Sequence, residues 1–276
     1  MGVSQWDSLF FLLLLEAYIL IFEINRIRMK YMGSKRRIVS EILPLMLANM
    51  KPGQTFIDAF CGGCHVIEKV PGEYKRIAND NNRYLVAMLE ALTETTWSPP
   101  TSINRDFYND VRSSYYADDG RFSDALVGWV GYVASWNGRF FDGGYSGIGK
   151  NGRDYVAEQI RNIQAQLPSL KGIEWRYGSY DSIEIPPESL IYCDPPYLGC
   201  KTYPTSAHFD YEAFYDWCRD RAAEGHTVFV SEYQMPPDFV CLWKKGIVNN
   251  LNKKRPTERL FTISRKCSLQ AFSCEG

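Results

Sequence analysis

The chain has 276 residues, 45% hydrophobic and 23% charged, an ordinary globular composition that allows one large α/β domain with or without an insertion. Its net charge of -1 gives no support by itself to a nucleic-acid partner, so any basic surface must be local. Eight cysteines (Cys61, Cys64, Cys193, Cys200, Cys218, Cys241, Cys267 and Cys274) are too sparse for a disulfide framework and read as reduced thiols of a cytosolic protein.

Residues 1–28 form an apolar N-terminal extension. Leu9 to Phe22 is almost wholly apolar, but Glu16 interrupts it, and it falls short of the roughly 20 residues a membrane span needs. No Lys or Arg precedes the run, Asp7 does, and no small-residue cleavage site follows, so it is a poor signal peptide. The readings open for it are a non-native extension from an upstream start, a helix docked on the fold, and a membrane anchor. A stable membrane association is not expected.

From Ser34 to Met50 apolar residues fall at helical spacing (Ile38, Ile42, Leu45, Leu47), with Ser34 as N-cap and Pro44 as a kink. Thr55 to Phe60 is a short apolar strand that runs into the turn Cys61-Gly62-Gly63. Arg76 to Asp80 is a second strand, followed by a helix from Arg83 to Leu92. Strand, Gly loop, strand, acid is the opening of an α/β nucleotide-binding sheet, in which the acid bonds ribose hydroxyls. After Trp97-Ser98-Pro99-Pro100 the texture turns aromatic and helical to about residue 170, with one Gly-rich loop or hairpin from Asn137 to Tyr145. Sheet texture resumes at Glu174-Trp175-Arg176-Tyr177. Apolar strands follow at Leu190 to Cys193, Thr227 to Val230 and Leu260 to Ile263, with a helix from Asp210 to Glu224.

Asp194-Pro195-Pro196-Tyr197 directly follows the strand ending at Cys193. At the carboxyl end of a parallel strand such a loop points into the ligand crevice. An aromatic amine is a poor nucleophile because its lone pair is delocalised. Asp194 can accept one of its N–H groups and the proline-fixed carbonyl of Pro195 the other, leaving the lone pair aimed at a methyl donor. Tyr197 offers a face on which an extruded base can stack. Asp58 to Gly63 with Asp80 suits a nucleoside-type cofactor without phosphate, since no Lys-Ser/Thr follows the glycines. Cys61-Gly62-Gly63-Cys64-His65 also fits a haem-attachment or redox pattern, but no second C-x-x-C exists to complete a zinc site, and no metal is expected.

These motifs, in this order, resemble the Dam-type adenine-specific DNA methyltransferases of bacteria and phages, over Met29 to about Ile263. Lys30-Tyr31-Met32-Gly33-Ser34-Lys35 is similar to that family's N-terminal cofactor segment, Asp58 to Gly63 to its Phe-x-Gly loop, Ala78 to Asn82 to its ribose-binding segment, and Asp194 to Tyr197 to its catalytic tetrad. The sequence departs from the family at Cys64-His65, where a second small residue is usual, and at Ser179-Tyr180, where an acid usually precedes the aromatic.

The resemblance implies an α/β fold: a Rossmann-like sheet for S-adenosylmethionine (SAM)-dependent methyl transfer, with an inserted helical target-recognition domain. Residues 29–99 would be the cofactor-binding part, 100–172 the insertion, 173–264 the catalytic part and 265–276 a tail. Tyr31, Lys35, Asp58, Phe60, Gly62, Asp80 and Asp194 would hold SAM, and Asp194, Pro195, Pro196 and Tyr197 would carry catalysis. Arg139, Phe140 and Arg153 would contact DNA in the insertion. Lys253, Lys254 and Arg255, from a run of eight Lys/Arg against the single acid Glu258 between Lys244 and Lys266, would contact phosphates. The implied reaction is methylation of adenine N6 in duplex DNA, in the cytoplasm of a bacterial cell or phage-infected host. Methylation of RNA adenine or guanine amines and a catalytically dead DNA-binding homologue are the competing readings.

Overall fold

The computed structural model describes residues 28–94, 97–198, 209–247 and 256–263. Two compact units divide the chain: Ser34–Glu90 with Gly172–Gly276, and Met1–Gly33 with Ala91–Lys171.

The first unit is built on a seven-stranded sheet: β1 (Thr55–Asp58), β2 (Lys75–Asp80), β3 (Ile173–Tyr177), β4 (Leu190–Cys193), β5 (Thr227–Glu232), β6 (Phe239–Gly246) and β7 (Thr257–Ile263). Their order is β3-β2-β1-β4-β5-β7-β6. The first five are parallel, whereas β7 runs antiparallel to both β5 and β6. This is a Rossmann-like α/β sheet. Buried parallel strands read as continuous apolar runs, and β1 and β4 are buried at every position. Ile57, Ile191, Val228, Val230, Phe214 and Phe261 form a core between the sheet and helix α6 (Tyr211–Ala223), while helices α1 (Val39–Leu47) and α2 (Arg83–Thr93) bury apolar residues of their own. A buried Val, Ile or Phe side chain stabilises by roughly 1.5–3 kcal/mol.

The strand order reverses between β1 and β4. In open α/β sheets a crevice opens at the carboxyl ends of the strands at that switch point. Asp58 ends β1 opposite Tyr192 of β4, so the turn after Asp58 and the loop beginning at Asp194 emerge side by side there.

The predicted helix from Ser34 begins instead as a short 3-10 turn, Lys35–Arg37, whose Arg36 N–H donates to the Ser34 hydroxyl at 3.3 Å. Pro44 is accommodated within α1. Strand β6 was not foreseen; it is a half-exposed edge strand with a bulge at Cys241/Trp243, and neither feature leaves a regular apolar period.

The other unit packs α3 (Arg105–Ala117), α4 (Asp124–Ala134) and α5 (Tyr155–Leu170), capped by the side chains of Asn104, Ser123 and Asp154. The Gly-rich stretch between α4 and α5 is closed by bridges Ser135–Tyr145 and Ile148–Asp154. Met29 to Tyr31 pack in this unit, although they read in sequence as the start of the cofactor part. Gln159 and Gln166 share one face of α5 and offer amide groups: the Met29 N–H donates to Gln166 Oε1 at 3.1 Å, and Lys30 and Gln159 exchange two bonds of 3.2 and 3.3 Å. Among the described residues no helix is long and apolar enough to cross a membrane. Residues 1–27 and the tail from residue 264 lie outside them.

Candidate active site

The Gly turn after β1 is shaped by backbone conformation. Gly62 and Cys64 have φ of 44° and 61°, and the Cys64 N–H closes the turn onto the Cys61 carbonyl at 2.7 Å. The end of β2 pins it: the Cys61 N–H donates to the Asn79 carbonyl at 2.8 Å, and the Gly62 N–H to Asp80 Oδ2 at 3.0 Å. Asp80 Oδ1 accepts from the Asn82 N–H at 2.9 Å. Burial pushes the Asp80 carboxyl up and these amides pull it back. The Asn81 amide also bonds this carboxylate, so of its roughly four lone-pair positions about one is left to accept a hydroxyl proton.

Cys61 and Cys64 are buried free thiols. The hydrogen bond to Cys64, then burial, pushes Cys61 well up, and burial raises Cys64, so both stay protonated. Phe60 stacks on Tyr180 at 5.5 Å and meets Phe209 and Phe214 edge-on. The aromatic after Ser179 therefore walls the same side as the Phe of the loop.

Asp58 is buried, and its Oδ1 has no hydrogen-bond partner among the described residues. Burial, and next the charge of Asp194, push its carboxyl well above the usual range. A buried acceptor left without a donor costs free energy, and it marks a place for a ligand's N–H or O–H.

The loop after β4 contains two prolines and so lacks two backbone donors. Side chains hold it instead. Lys35 Nζ lies 2.8 Å from Asp194 Oδ1 and 4.5 Å from the centroid of Tyr197. The Tyr211 hydroxyl donates to the Pro196 carbonyl at 2.9 Å, and the Tyr197 hydroxyl to Glu258 Oε2 at 2.7 Å. Tyr233 packs edge-on against the Tyr197 ring at 4.6 Å. Burial raises the Asp194 carboxyl to about 6, with Lys35 opposing. An anionic oxygen acceptor thus sits at the switch point beside a buried cation.

The structure brings together Lys35, Asp58, Phe60, Gly62, Asp80, Asp194, Pro195, Pro196 and Tyr197 in the sheet unit. Tyr31 lies in the helical unit, where its ring stacks on Tyr132 at 5.8 Å. Of the residues read as DNA contacts, Arg139 pairs with Asp142, and Arg153 pairs with Glu158 and lies 5.2 Å from the Tyr155 ring. The Phe140 ring packs on Tyr132 at 4.9 Å and Tyr115 at 5.1 Å, so it serves the unit's interior. The exposed aromatic of this loop is Trp136, 51% accessible, beside a cavity of about 140 Å³ lined by Lys30, Asn137, Tyr155 and Gln159. Lys253, Lys254 and Arg255 lie outside the described residues. Glu232, Glu258 and Tyr211 escaped the sequence reading. Glu232 stands at the carboxyl end of a buried strand, a place that does not by itself set an acid apart in sequence.

Residues 31–124 match the model of the D12 class N6 adenine-specific DNA methyltransferases. The stretch is similar to that class over 94 of the chain's 276 residues. It takes in Lys35, the Gly turn and Asp80, whereas the Asp194–Tyr197 loop lies beyond its end. No curated protein matches the chain. Among solved structures, a methyltransferase, SMU.472, complexed with SAH matches at 10% identity and a TM-score of 0.34, over 85% of this chain and 53% of that one. The chain thus spans about half the length of that structure.

Proposed function

We propose that this protein methylates the exocyclic N6 amine of adenine in duplex DNA, with SAM as methyl donor. The observation that carries the reading is the Lys35–Asp194 pair of 2.8 Å at the mouth of the β1/β4 switch point, next to a D12-class Gly turn. The residues fit SAM. Asp58, with its unpartnered buried oxygen, suits the amino group of the methionine end. Asp80 suits the ribose hydroxyls, Gly62 permits close backbone approach, and Phe60 with Tyr180 suits an adenine ring. Lys35 holds Asp194, and Tyr31 is assigned to the cofactor by the family pattern. When bound, SAM supplies an electrophilic methyl group.

Asp194 accepts one N–H of the target amine and the Pro195 carbonyl the other. The Pro196 carbonyl already accepts from Tyr211, which keeps the two roles separate. Held this way, the nitrogen turns pyramidal and its lone pair points outward. Asp194 would also stabilise the positive charge that grows on nitrogen as the new C–N bond forms and the sulfur–methyl bond of the donor breaks, leaving the neutral thioether, and the surplus proton of that nitrogen would be lost to water. Tyr197, fixed by Glu258 and Tyr233, presents its ring to the extruded base. Arg139 and Arg153 on the helical unit, and Lys253, Lys254 and Arg255, are assigned to phosphates and bases. No metal takes part in this reading, and the oligomeric state does not enter it.

The test is expression in a host lacking adenine methylation, with methylated positions mapped across its DNA, beside a head-to-head assay on duplex DNA and structured RNA. The reading expects N6-methyladenine at a defined duplex sequence. Methylation of RNA alone would replace the substrate, and none on either would overturn the activity.

A further inference from the structure

Glu232 closes β5, the parallel neighbour of β4, two residues beyond the pair Cys193–Val230. It is 1% exposed, and nothing in the chemistry above uses it. Its two carboxylate oxygens each hold one backbone amide: Oε2 accepts from the Leu198 N–H at 3.1 Å and Oε1 from the Tyr233 N–H at 2.6 Å. Leu198 directly follows the Asp-Pro-Pro-Tyr loop and has an exposed side chain, so its backbone is tied down by Glu232 rather than by packing of its own. Tyr233 is the residue whose ring packs on Tyr197, and its carbonyl accepts from Arg259.

We propose that Glu232 is a positioning residue for methyl transfer: one carboxylate that fixes the loop end through Leu198 and the Tyr197 ring through Tyr233. This rests on the methyltransferase reading of Asp194. The physical requirement is two acceptors side by side. A Gln of the same shape has one oxygen, and its NH2 would face one of the two amide donors. The Asp194–Tyr197 loop would then keep its fold but lose its register against the target amine, and sub-ångström misplacement of a reacting group is costly in rate. Burial raises the Glu232 carboxyl to about 7 while the two amides oppose it. The charged and titratable groups around it include Asp194, Lys35 and Tyr215, and Arg259 is its register partner on β7.

The experiment uses full-length E232Q. Single-turnover methylation of duplex DNA is measured at saturating SAM, with SAM binding by calorimetry, DNA gel-shift and thermal melting alongside. A rate loss on the order of tenfold or more is expected, as for an unsatisfied buried amide, with SAM and DNA affinities within about twofold. A wild-type rate, or a rate loss that saturating SAM restores, would overturn the assignment. Should E232Q not fold, Glu232→Asp keeps the charge but shortens the reach to the two amides; it must show the same rate loss, and wild-type turnover by it overturns the proposal. Asp194→Asn runs in the same assay. If it too turns over normally, the reading of the site has failed; if it is silent while E232Q is normal, only the role of Glu232 has.

Discussion

Lys35 and Asp194, 159 positions apart in sequence, form a partly buried ion pair of 2.8 Å that joins the first turn of the sheet unit to the loop after β4. The pair sets the protonation of the proposed catalytic carboxylate. Burial drives Asp194 towards the neutral acid, and Lys35 opposes that, leaving its carboxyl at about 6. Methylation should therefore fall as pH drops through about 6, because the acid form has one acceptor fewer. Lys35→Met removes the opposing charge, so the Asp194 carboxyl rises further and the acid limb of the rate–pH profile moves to higher pH. The check is single-turnover rate against pH at saturating SAM. An unmoved limb would mean that Lys35 does not act on Asp194.

Phe140 should behave as a packing residue. Its ring lies 4.9 Å from Tyr132, and a Cβ added to Gly131 of α4 would meet it at 2.4 Å. Phe140→Ala should destabilise by about 2 kcal/mol, less than a fully buried Phe because the side chain is partly exposed. Gly131→Ala should cost about 1–3 kcal/mol through overpacking. Urea denaturation measures both. If Phe140→Ala left stability unchanged and altered which sites are methylated, the ring would belong to recognition after all.

Replacing Cys61 and Cys64 together with Ser should leave methylation within roughly tenfold, since no covalent role is lost. The wild-type protein should show no haem Soret band and no stoichiometric zinc. Either signal would revive a haem or metal role for Cys61-Gly62-Gly63-Cys64-His65.

Lys253, Lys254 and Arg255 are assigned to phosphates. Changing all three to Ala should weaken duplex binding at every sequence and flatten the dependence of log K on log salt by about 2.7, three contacts at about 0.9 each. Gel-shift or anisotropy across a salt series gives the slope. A changed choice of site at constant affinity would place these residues at base edges.

The sheet was largely legible because buried parallel strands are continuous apolar runs: Leu190 to Cys193 was read at its true bounds. Edge strand β6 was not, since one half-exposed face and a bulge erase the period. Asp80 and Asp194 announced themselves by standing at strand ends beside a Gly turn and a double proline. Glu232 stands at a strand end too, but an acid closing a strand has no distinguishing neighbours in sequence; only the Leu198 amide, 34 positions away, reveals its use. Phe140 packs on Tyr132 and Tyr115 while staying partly exposed, which its sequence neighbours do not foretell. An aromatic in a Gly-rich loop looks exposed until the helices that cover it are in place, whereas Trp136, four residues earlier, is the one left outside.

The central claim is that Asp194 orients the target amine. Asp194→Asn keeps the side-chain shape, replaces the anion and puts an NH2 where an acceptor is needed. Losing one such preorganised contact costs about 2.7–4 kcal/mol, on the order of a hundred- to a thousandfold in rate. Some SAM affinity should go with it, duplex binding should largely survive, and Tyr197→Ala should lose roughly 1–3 kcal/mol through stacking. The measurement is single-turnover transfer from tritiated SAM to a duplex carrying the mapped site, with a gel-shift beside it. The account predicts a loss of a hundredfold or more with DNA still bound; methylation by Asp194→Asn at the wild-type rate would contradict it.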